Sequence, residues 1–183
     1  MRDKPDFYTQ KAKKEGYPAR SVYKLEEIQN KYRIIKRGDR ILDIGAAPGS
    51  WSLFVYRLLK GTGFLVSVDL TTLSVGELIN ASNVKILKGD IFDLEIMKEI
   101  EKESPYSCIL SDAAPGTTGN RTVDTQRSLN LVKGILDLSP RILKAGGDLI
   151  MKIFQGGEEA EILKEMKTSF NNVKAFKPQA SRN

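Results

Sequence analysis

From Arg40 onward the sequence alternates short runs rich in Ile, Val and Leu with longer amphipathic stretches. The short runs are typical of strands buried on both faces, and the amphipathic stretches are typical of helices. We predict strands at residues 40–44, 64–69, 84–87, 106–111, 148–154 and 172–176. We predict helices at about residues 50–59, 93–102, 124–143 and 158–170. This alternation predicts an α/β fold, a mostly parallel twisted sheet with helices on both faces.

Ligands of such sheets bind beyond the carboxyl ends of the strands, near the point where the strand order reverses. This rule predicts an active edge built from residues 45–50, 69, 89–90, 112–119 and 154–157. The first 37 residues lie outside the alternation, although residues 19–29 could form a helix with Val22, Leu25 and Ile28 on one face. We therefore predict a basic N-terminal extension at residues 1–37, followed by one main domain at residues 38–183.

Length and composition favour a single globular domain, because 183 residues can bury a core without metal or disulfide staples. The one cysteine, Cys108, cannot pair within the chain, so nothing indicates an oxidising compartment. No apolar run approaches the roughly 20 residues that span a bilayer, and the N-terminus lacks the apolar stretch of a secretory signal. We expect a cytoplasmic protein, a monomer with neither a membrane partner nor a metal.

The net charge of +6 is confined to one part of the chain. Residues 1–37 hold eleven Lys or Arg and five Asp or Glu, whereas the other 146 residues hold eighteen of each. Tyr8, Tyr17 and Tyr23 are interleaved with these basic residues. A localised basic segment of this kind suits a polyanion, most simply a nucleic acid, although charge alone is equally compatible with a solvated helical face.

A glycine loop, Gly45-Ala46-Ala47-Pro48-Gly49, joins the first predicted strand to the first predicted helix. Glycine lets the backbone approach a ligand closely and adopt angles that larger residues avoid. The spacing differs from the G-x-G-x-x-G of dinucleotide-binding loops, and no lysine follows Gly49 as it would in a phosphate-binding P-loop. The loop instead fits an adenosyl ligand that has no pyrophosphate.

Two acidic residues follow the next two predicted strands. Asp69 could accept hydrogen bonds from both hydroxyls of a ribose, and Asp90 could meet an adenine amino group. Each acid alone could be a helix cap or a turn former. Because both lie in register with the glycine loop, we interpret them together as part of one cofactor site.

The segment Ser111-Asp112-Ala113-Ala114-Pro115 ends the fourth predicted strand, where several methyltransferases place residues that handle the target. It lacks the Asn/Asp-Pro-Pro-aromatic pattern of enzymes that methylate exocyclic amines. Cys108 lies within an apolar strand and is interpreted as a small buried side chain, which argues against attack on a pyrimidine carbon. Asp112 instead indicates a site where a carboxylate balances positive charge near a hydroxyl group.

Lys152 stands in Leu149-Ile150-Met151-Lys152-Ile153-Phe154, a run otherwise suited to a buried strand. A buried lysine is costly unless it is paired or its pKa is lowered. We expect burial to lower its pKa and a nearby Asp112 to oppose that change, an arrangement common at active sites. The alternative is a lysine at a sheet edge that reaches solvent.

These motifs, in this order, resemble the RrmJ/FtsJ family of ribose 2′-O-methyltransferases that act on RNA. The resemblance covers nearly the whole chain and includes residues 19–25, 43–51, 68–70, 89–90, 111–115, 152–156 and 177–182. It implies a Rossmann-like methyltransferase fold and S-adenosylmethionine as the cofactor. It also implies that the target is RNA, most simply a uridine of large-subunit ribosomal RNA.

The resemblance assigns roles to individual residues. It implies cofactor contacts from Gly45, Gly49, Trp51, Asp69, Asp90 and Asp112. Lys24, Asp112 and Lys152 match the first three members of the family's catalytic Lys-Asp-Lys-Glu set, in which a lysine would assist attack by the ribose hydroxyl. The glutamate and the last strand of the sheet are expected after Asn183. RNA contacts are expected from Arg2, Lys4, Lys11, Lys13, Lys14 and Arg20.

The sequence is also compatible with other functions. The target could be a transfer RNA anticodon loop or a messenger cap, both of which occur in the family. The chain could also be an RNA-binding scaffold without catalysis, although a scaffold has no need of Lys24, Asp112 and Lys152 together. A third hypothesis is a methyltransferase that acts on small molecules or proteins, but such an enzyme would not need the basic N-terminus.

Overall fold

The computed structural model describes residues 6–114, 116, 119–153 and 159–181. The helices in these residues are α1 (Phe7–Lys14), α2 (Val22–Tyr32), α3 (Ser50–Leu59), α4 (Gly76–Ile79), α5 (Leu94–Lys102), α6 (Arg121–Ile142) and α7 (Glu159–Ser169). The strands are β1 (Arg40–Ile44), β2 (Phe64–Asp69), β3 (Val84–Lys88), β4 (Tyr106–Ser111) and β5 (Leu143–Met151).

The five strands form one sheet in the order β3-β2-β1-β4-β5, with every neighbouring pair parallel. The order reverses between β1 and β4, which is the position where open α/β sheets bind ligands. Ile44 pairs with both Val68 and Ser111, and Ser111 pairs with Met151. The carboxyl ends of β1, β2, β4 and β5 therefore meet at one edge, and the predicted α/β architecture is confirmed.

Apolar side chains on the two faces of the sheet form two main core clusters. Ile41 of β1 belongs to one cluster and the next residue, Leu42, to the other, as the alternation of a strand requires. The first cluster also contains Leu53 of α3, whereas the second contains Ile135 of α6. Strands β1, β2 and β4 are therefore buried on both faces, as their sequences predict, whereas β3 and β5 at the sheet edges are only partly buried.

The basic N-terminal segment packs into the first of these clusters. Ala12 of α1 and Val22, Tyr23 and Leu25 of α2 are at most 2% exposed. Burying one large apolar side chain contributes about 1.5–3 kcal/mol, so several such residues fix the two helices to the sheet. The predicted helix at 19–29 is found three residues further on, and α1 was not predicted.

Two sequence predictions of strands need correction. Residues 172–176 form no strand; Phe176 instead packs edge-on against Tyr32, with their ring centroids 6.0 Å apart. A strand needs a neighbour for its ladder, and this segment follows α2 rather than the sheet. The fifth strand begins at Leu143 instead of 148, because Leu143 pairs with Tyr106. The strand ends at Met151, so Lys152 and Ile153 of the predicted strand lie beyond it, and its predicted last residue, Phe154, lies outside the described residues.

Candidate active site

The glycine loop between β1 and α3 is tied to the end of β2. The N–H groups of Gly45 and Ala46 donate to the Val68 carbonyl at 2.9 and 3.2 Å. Gly45 has a φ of +72°, and a Cβ there would lie 2.5 Å from the Cα of Ala113. Only glycine therefore lets this loop adopt its turn and pack against the chain after β4.

Asp69, at the end of β2, supports the same loop through its carboxylate. Oδ2 accepts a hydrogen bond from the N–H of Ala47 at 3.0 Å. Oδ1 accepts from both the N–H and the hydroxyl of Thr71, each at 2.8 Å. Asp69 is half-buried, and its carboxylate joins the glycine loop to the turn after β2.

The loop after β3 lies beside Asp69, since the Gly89 N–H donates to the Asp69 carbonyl at 2.9 Å. Asp90 is exposed, and its Oδ1 accepts from the Phe92 N–H at 3.0 Å. Leu70 and Phe92 are 67% and 49% exposed despite being large and apolar. At or just after the ends of β2 and β3 there is thus a carboxylate and, within two residues of it in sequence, an exposed apolar side chain.

Lys24, Asp112 and Lys152 lie together at the same edge of the sheet. Lys24 projects from α2, whereas Asp112 and Lys152 directly follow β4 and β5. The Nζ atoms of Lys24 and Lys152 are 3.7 and 3.1 Å from Asp112 Oδ1. Lys152 Nζ also donates to the Asp112 carbonyl at 2.7 Å, and its backbone N–H donates to the Ser111 carbonyl at 2.8 Å. One carboxylate thus holds two ammonium groups from distant parts of the sequence.

A cavity of about 330 Å³ lies next to these three residues, with Trp51, Lys177 and Ser181 also in its wall. Asp112 Oδ1 is buried and accepts no aligned hydrogen bond from the described residues, although both ammonium groups are within ion-pair distance. The contact is therefore an ion pair without hydrogen-bond geometry at that oxygen. The carboxylate can still accept a donor from a ligand in the cavity.

Comparison with known proteins identifies the family. The sequence profile of FtsJ-like methyltransferases matches residues 17–183. The chain belongs to this family. A Treponema denticola protein named ribosomal RNA large subunit methyltransferase E is 44% identical over 178 residues, which cover 97% of this chain and 88% of that protein.

Solved structures agree with this assignment. A Plasmodium falciparum protein described as a ribosomal RNA methyltransferase matches this FtsJ-like chain with a TM-score of 0.77 and 29% identity, over 90% of this chain and 93% of that one. Fibrillarin of Aeropyrum pernix, solved with bound S-adenosylmethionine, shares the fold at a TM-score of 0.52 and 19% identity, over 81% and 64% of the two chains. The α/β methyltransferase fold is confirmed.

In this FtsJ-like methyltransferase, two hydrogen bonds fix the start of α2 to the start of α3. The indole N–H of Trp51 donates to the Ser21 carbonyl at 2.9 Å, and the Ala19 N–H donates to Ser50 Oγ at 2.7 Å. Trp51 is 5% exposed. The predicted cofactor contact of Trp51 stays a prediction, while its observed hydrogen bond helps to place Lys24 at the sheet edge.

A buried polar network under the glycine loop was not predicted from the sequence. Asp43 of β1 is fully buried, and Ser52 Oγ donates to its Oδ2 at 2.6 Å while lying 2.9 Å from Ser67 Oγ. Burial, with smaller contributions from the carboxylates of Asp112 and Asp69, raises the pKa of Asp43 to about 7, against the hydrogen bond from Ser52, which lowers it. An acid inside an apolar strand is the one sequence signal that could have indicated this network.

The predicted RNA-binding residues are placed differently from one another. Lys13 and Lys14 are exposed in the last turn of α1. Lys11 pairs with Glu15 and Glu26 at 3.8 and 3.7 Å. Arg20 contacts Asp6 and the Ala180 carbonyl within the chain. Arg2 and Lys4 lie outside the described residues. All six RNA contacts remain predictions.

Cys108 is 0% exposed in β4, which confirms its interpretation as a small buried side chain. Burial raises the pKa of its thiol well above the ordinary value, so the thiol is a poor nucleophile there. No helix among the described residues has the length and apolar character to cross a membrane. Within the same residues, no three His, Cys, Asp or Glu side chains group as metal ligands.

Proposed function

We propose that this chain transfers a methyl group from S-adenosylmethionine to a ribose 2′-hydroxyl of RNA. The observation that carries the proposal is the placement of Lys24 and Lys152 around the single carboxylate of Asp112, beside a cavity at the switch point of the sheet. A hydroxyl is a weak nucleophile, and positive groups at this position suit an oxygen that becomes negative as it reacts.

The residues at the sheet edge fit S-adenosylmethionine. Asp69 and Asp90 offer carboxylate acceptors for ribose hydroxyls and an adenine amino group, and Leu70 and Phe92 offer apolar surface beside them. The glycine loop brings backbone to the same edge. When bound, S-adenosylmethionine supplies a methyl group on a positively charged sulfur, which needs no further activation. The described residues supply acceptors and apolar surface for such a ligand.

The chain's own residues then align and stabilise the reacting hydroxyl. Asp112 orients both ammonium groups, and the hydrogen bond of Lys152 Nζ to the Asp112 carbonyl fixes its position further. A 2′-hydroxyl in the cavity meets these ammonium groups, which stabilise negative charge on its oxygen while its proton passes to water. As the oxygen–methyl bond forms, the bond from the methyl carbon to the sulfonium sulfur breaks, and the sulfur is left as a neutral thioether. Holding the oxygen in line with the methyl group supplies much of the remaining acceleration.

Large-subunit ribosomal RNA is the substrate that we propose, because the Treponema denticola relative is named for it and the Plasmodium falciparum protein is named for ribosomal RNA. We propose the cytoplasm as the place of this reaction. Exposed Lys13 and Lys14 of α1 suit phosphate contacts, which position RNA without reading its sequence. Residues 1–37 would thus act as the RNA-binding part, and residues 38–183 as the methyltransferase part, of one folded unit.

The test is methyl transfer from labelled S-adenosylmethionine to ribosomal RNA, transfer RNA and capped RNA, followed by mapping of the methylated atom. Lys152→Ala should lower kcat by about 100-fold or more, which is typical for loss of a group that stabilises negative charge developing on the reacting oxygen. Cofactor affinity, measured by calorimetry, should stay within about twofold, because Asp69 and Asp90 are unchanged. Lys144→Ala, at an exposed lysine of β5, is the matched control.

Near-normal turnover of Lys152→Ala would contradict the assigned chemistry. A methyl group found on a base would contradict the choice of ribose oxygen. Transfer only to transfer RNA or capped RNA would keep the chemistry and change the substrate. If the unaltered chain binds RNA but transfers no methyl group to any of the three RNAs, the result would favour an RNA-binding scaffold without catalysis.

A further inference from the structure

Residues 176–181, after α7, lie along α2 and are fixed at three points to α2 and to the turn before it. At one end, the Phe176 ring packs on Tyr32 of α2 with a centroid distance of 6.0 Å. At the other end, the carboxylate of Glu27 accepts two backbone hydrogen bonds, from the Gln179 N–H at 2.8 Å and the Ala180 N–H at 2.9 Å. Two donors on one carboxylate is a charge-assisted arrangement, stronger than bonds between neutral groups.

Arg20 supplies the third point of attachment. Its guanidinium donates to the Ala180 carbonyl at 2.7 Å and forms an ion pair with Asp6. Ala180 is 1% exposed, so these bonds are at the protected end of the segment. The partners are more than 150 residues apart in sequence, at separations of 152 to 160. The contacts therefore define tertiary structure rather than a local turn.

The anchoring face of α2 is also its catalytic face. Lys24 and Glu27 are three residues apart in α2, which places their side chains on one side of the helix, and Arg20 lies in the turn just before it. Lys177 and Ser181 of the anchored segment line the cavity that contains Lys24 and Asp112. Fixing this segment therefore completes one wall of the reaction cavity.

Lys177 differs from the other two lysines of that cavity. Lys24 and Lys152 share Asp112, whereas no carboxylate among the described residues lies within ion-pair distance of the exposed Lys177. Any RNA ribose whose 2′-hydroxyl reacts carries a phosphate on the adjacent 3′-oxygen, except at the 3′ end. That phosphate must be placed close to the cavity, and a lysine without an acidic partner suits it.

We propose that Glu27 and Arg20 hold residues 176–181 along α2 so that Lys177 contacts the phosphate next to the methylated ribose. The proposal rests on the RNA ribose methylation proposed above. Lys177 is then a substrate-binding residue. Glu27 and Arg20 are positioning residues that act through the segment they hold.

The first experiment compares Lys177→Ala with Lys174→Ala, a control at an exposed lysine just before residues 176–181 that lies over the Tyr32 ring and does not line this cavity. Lys177→Ala should raise KM for ribosomal RNA about tenfold, the effect of one charged hydrogen bond. The dependence of log affinity on log salt, measured with a single-stranded RNA oligonucleotide, should lose about 0.7 in slope. The affinity for S-adenosylmethionine should not change. Equal behaviour of the two variants would overturn the proposal.

The second experiment tests positioning by a double-mutant cycle. Glu27→Ala should raise KM for RNA, while the neighbouring variant Glu26→Ala should not, and Glu27→Gln should be intermediate because its amide keeps one acceptor oxygen. Combining Glu27→Ala with Lys177→Ala should add little to Lys177→Ala alone, since both remove the same contact. Effects that multiply would refute the link between the two residues.

The outcomes separate this proposal from the proposed function. If the unaltered chain methylates no RNA, the proposed function fails. Oligonucleotide binding still measures the Lys177 contact, and an unchanged salt slope there overturns it. If Glu27→Ala fails to fold, as shown by loss of its thermal transition, the comparison of Lys177→Ala with Lys174→Ala decides alone.

Discussion

The buried carboxyl group of Asp43 should make folding stability fall as the pH rises from about 4 to about 7. Its ordinary pKa is 3.8, and burial raises it to about 7 in the folded chain. In that interval the unfolded chain ionises at this residue while the folded chain keeps the proton. The folded state therefore binds more protons than the unfolded state, and its stability decreases with pH.

The magnitude follows from the two pKa values. Between pH 4.5 and pH 8 the single group should cost the folded state about 3 kcal/mol, since one pKa unit corresponds to about 1.4 kcal/mol and the unfolded group is already largely ionised at pH 4.5. Asp43→Asn removes the titration but keeps an acceptor oxygen for Ser52. Any pH-independent effect of the buried amide is the same at every pH, so only the slope is diagnostic.

The assay is urea denaturation of both proteins at several pH values between 4.5 and 8. The stability of Asp43→Asn relative to the unaltered chain should increase by about 3 kcal/mol across this range. Asp137→Asn, at an exposed acid of α6, controls for removal of a surface carboxylate. Parallel stability curves for Asp43→Asn and the unaltered chain would refute the argument from burial.

Two further predictions concern the RNA surface and the glycine loop. Replacing Lys13 and Lys14 by Ala should lower the slope of log RNA affinity against log salt by about 1.4, because each phosphate contact on single-stranded RNA contributes about 0.7 to that slope. An unchanged slope in filter binding would exclude both lysines from the interface. Gly45→Ala should lose more stability in urea denaturation than Gly38→Ala. Both positions have a positive φ, of +72° and +82°, but only a Cβ at Gly45 meets backbone, at 2.5 Å from the Ala113 Cα. Equal losses of stability in the two variants would show that the strain of a positive φ, and not the contact with Ala113, determines the loss.

Much of the fold could be predicted because its determinants are local. Short apolar runs fixed the positions of β1, β2 and β4, and the periodicity of the helices between them was equally clear. The strand predicted at residues 172–176 was wrong, because a strand needs a neighbouring strand to pair with and an apolar run alone does not supply one. Phe176 packs against Tyr32 of α2, and no local sequence pattern predicts this contact.

The residues of the candidate site also divide into those that local patterns place and those that only tertiary contacts place. Asp69 and Asp112 could be placed from the sequence, since both follow predicted strands of one sheet and parallel strands share an edge. Lys24 could be placed only by the resemblance, because its position depends on the hydrogen bond from Trp51 to Ser21. The buried pair of Asp43 and Ser52, nine residues apart, could not be predicted, since their contact depends on how α3 packs on β1.

The helix α2 buries Val22 and Leu25 in the core while presenting Lys24 at the site. A helix fixed in this way cannot shift toward an arriving RNA without also displacing the ammonium group that faces the reacting oxygen. Capture of the RNA strand and alignment of its ribose would then occur as one event. Kinetically, such a chain should show no lag between binding and the first turnover, in contrast to an enzyme whose RNA-binding module is joined by a flexible linker.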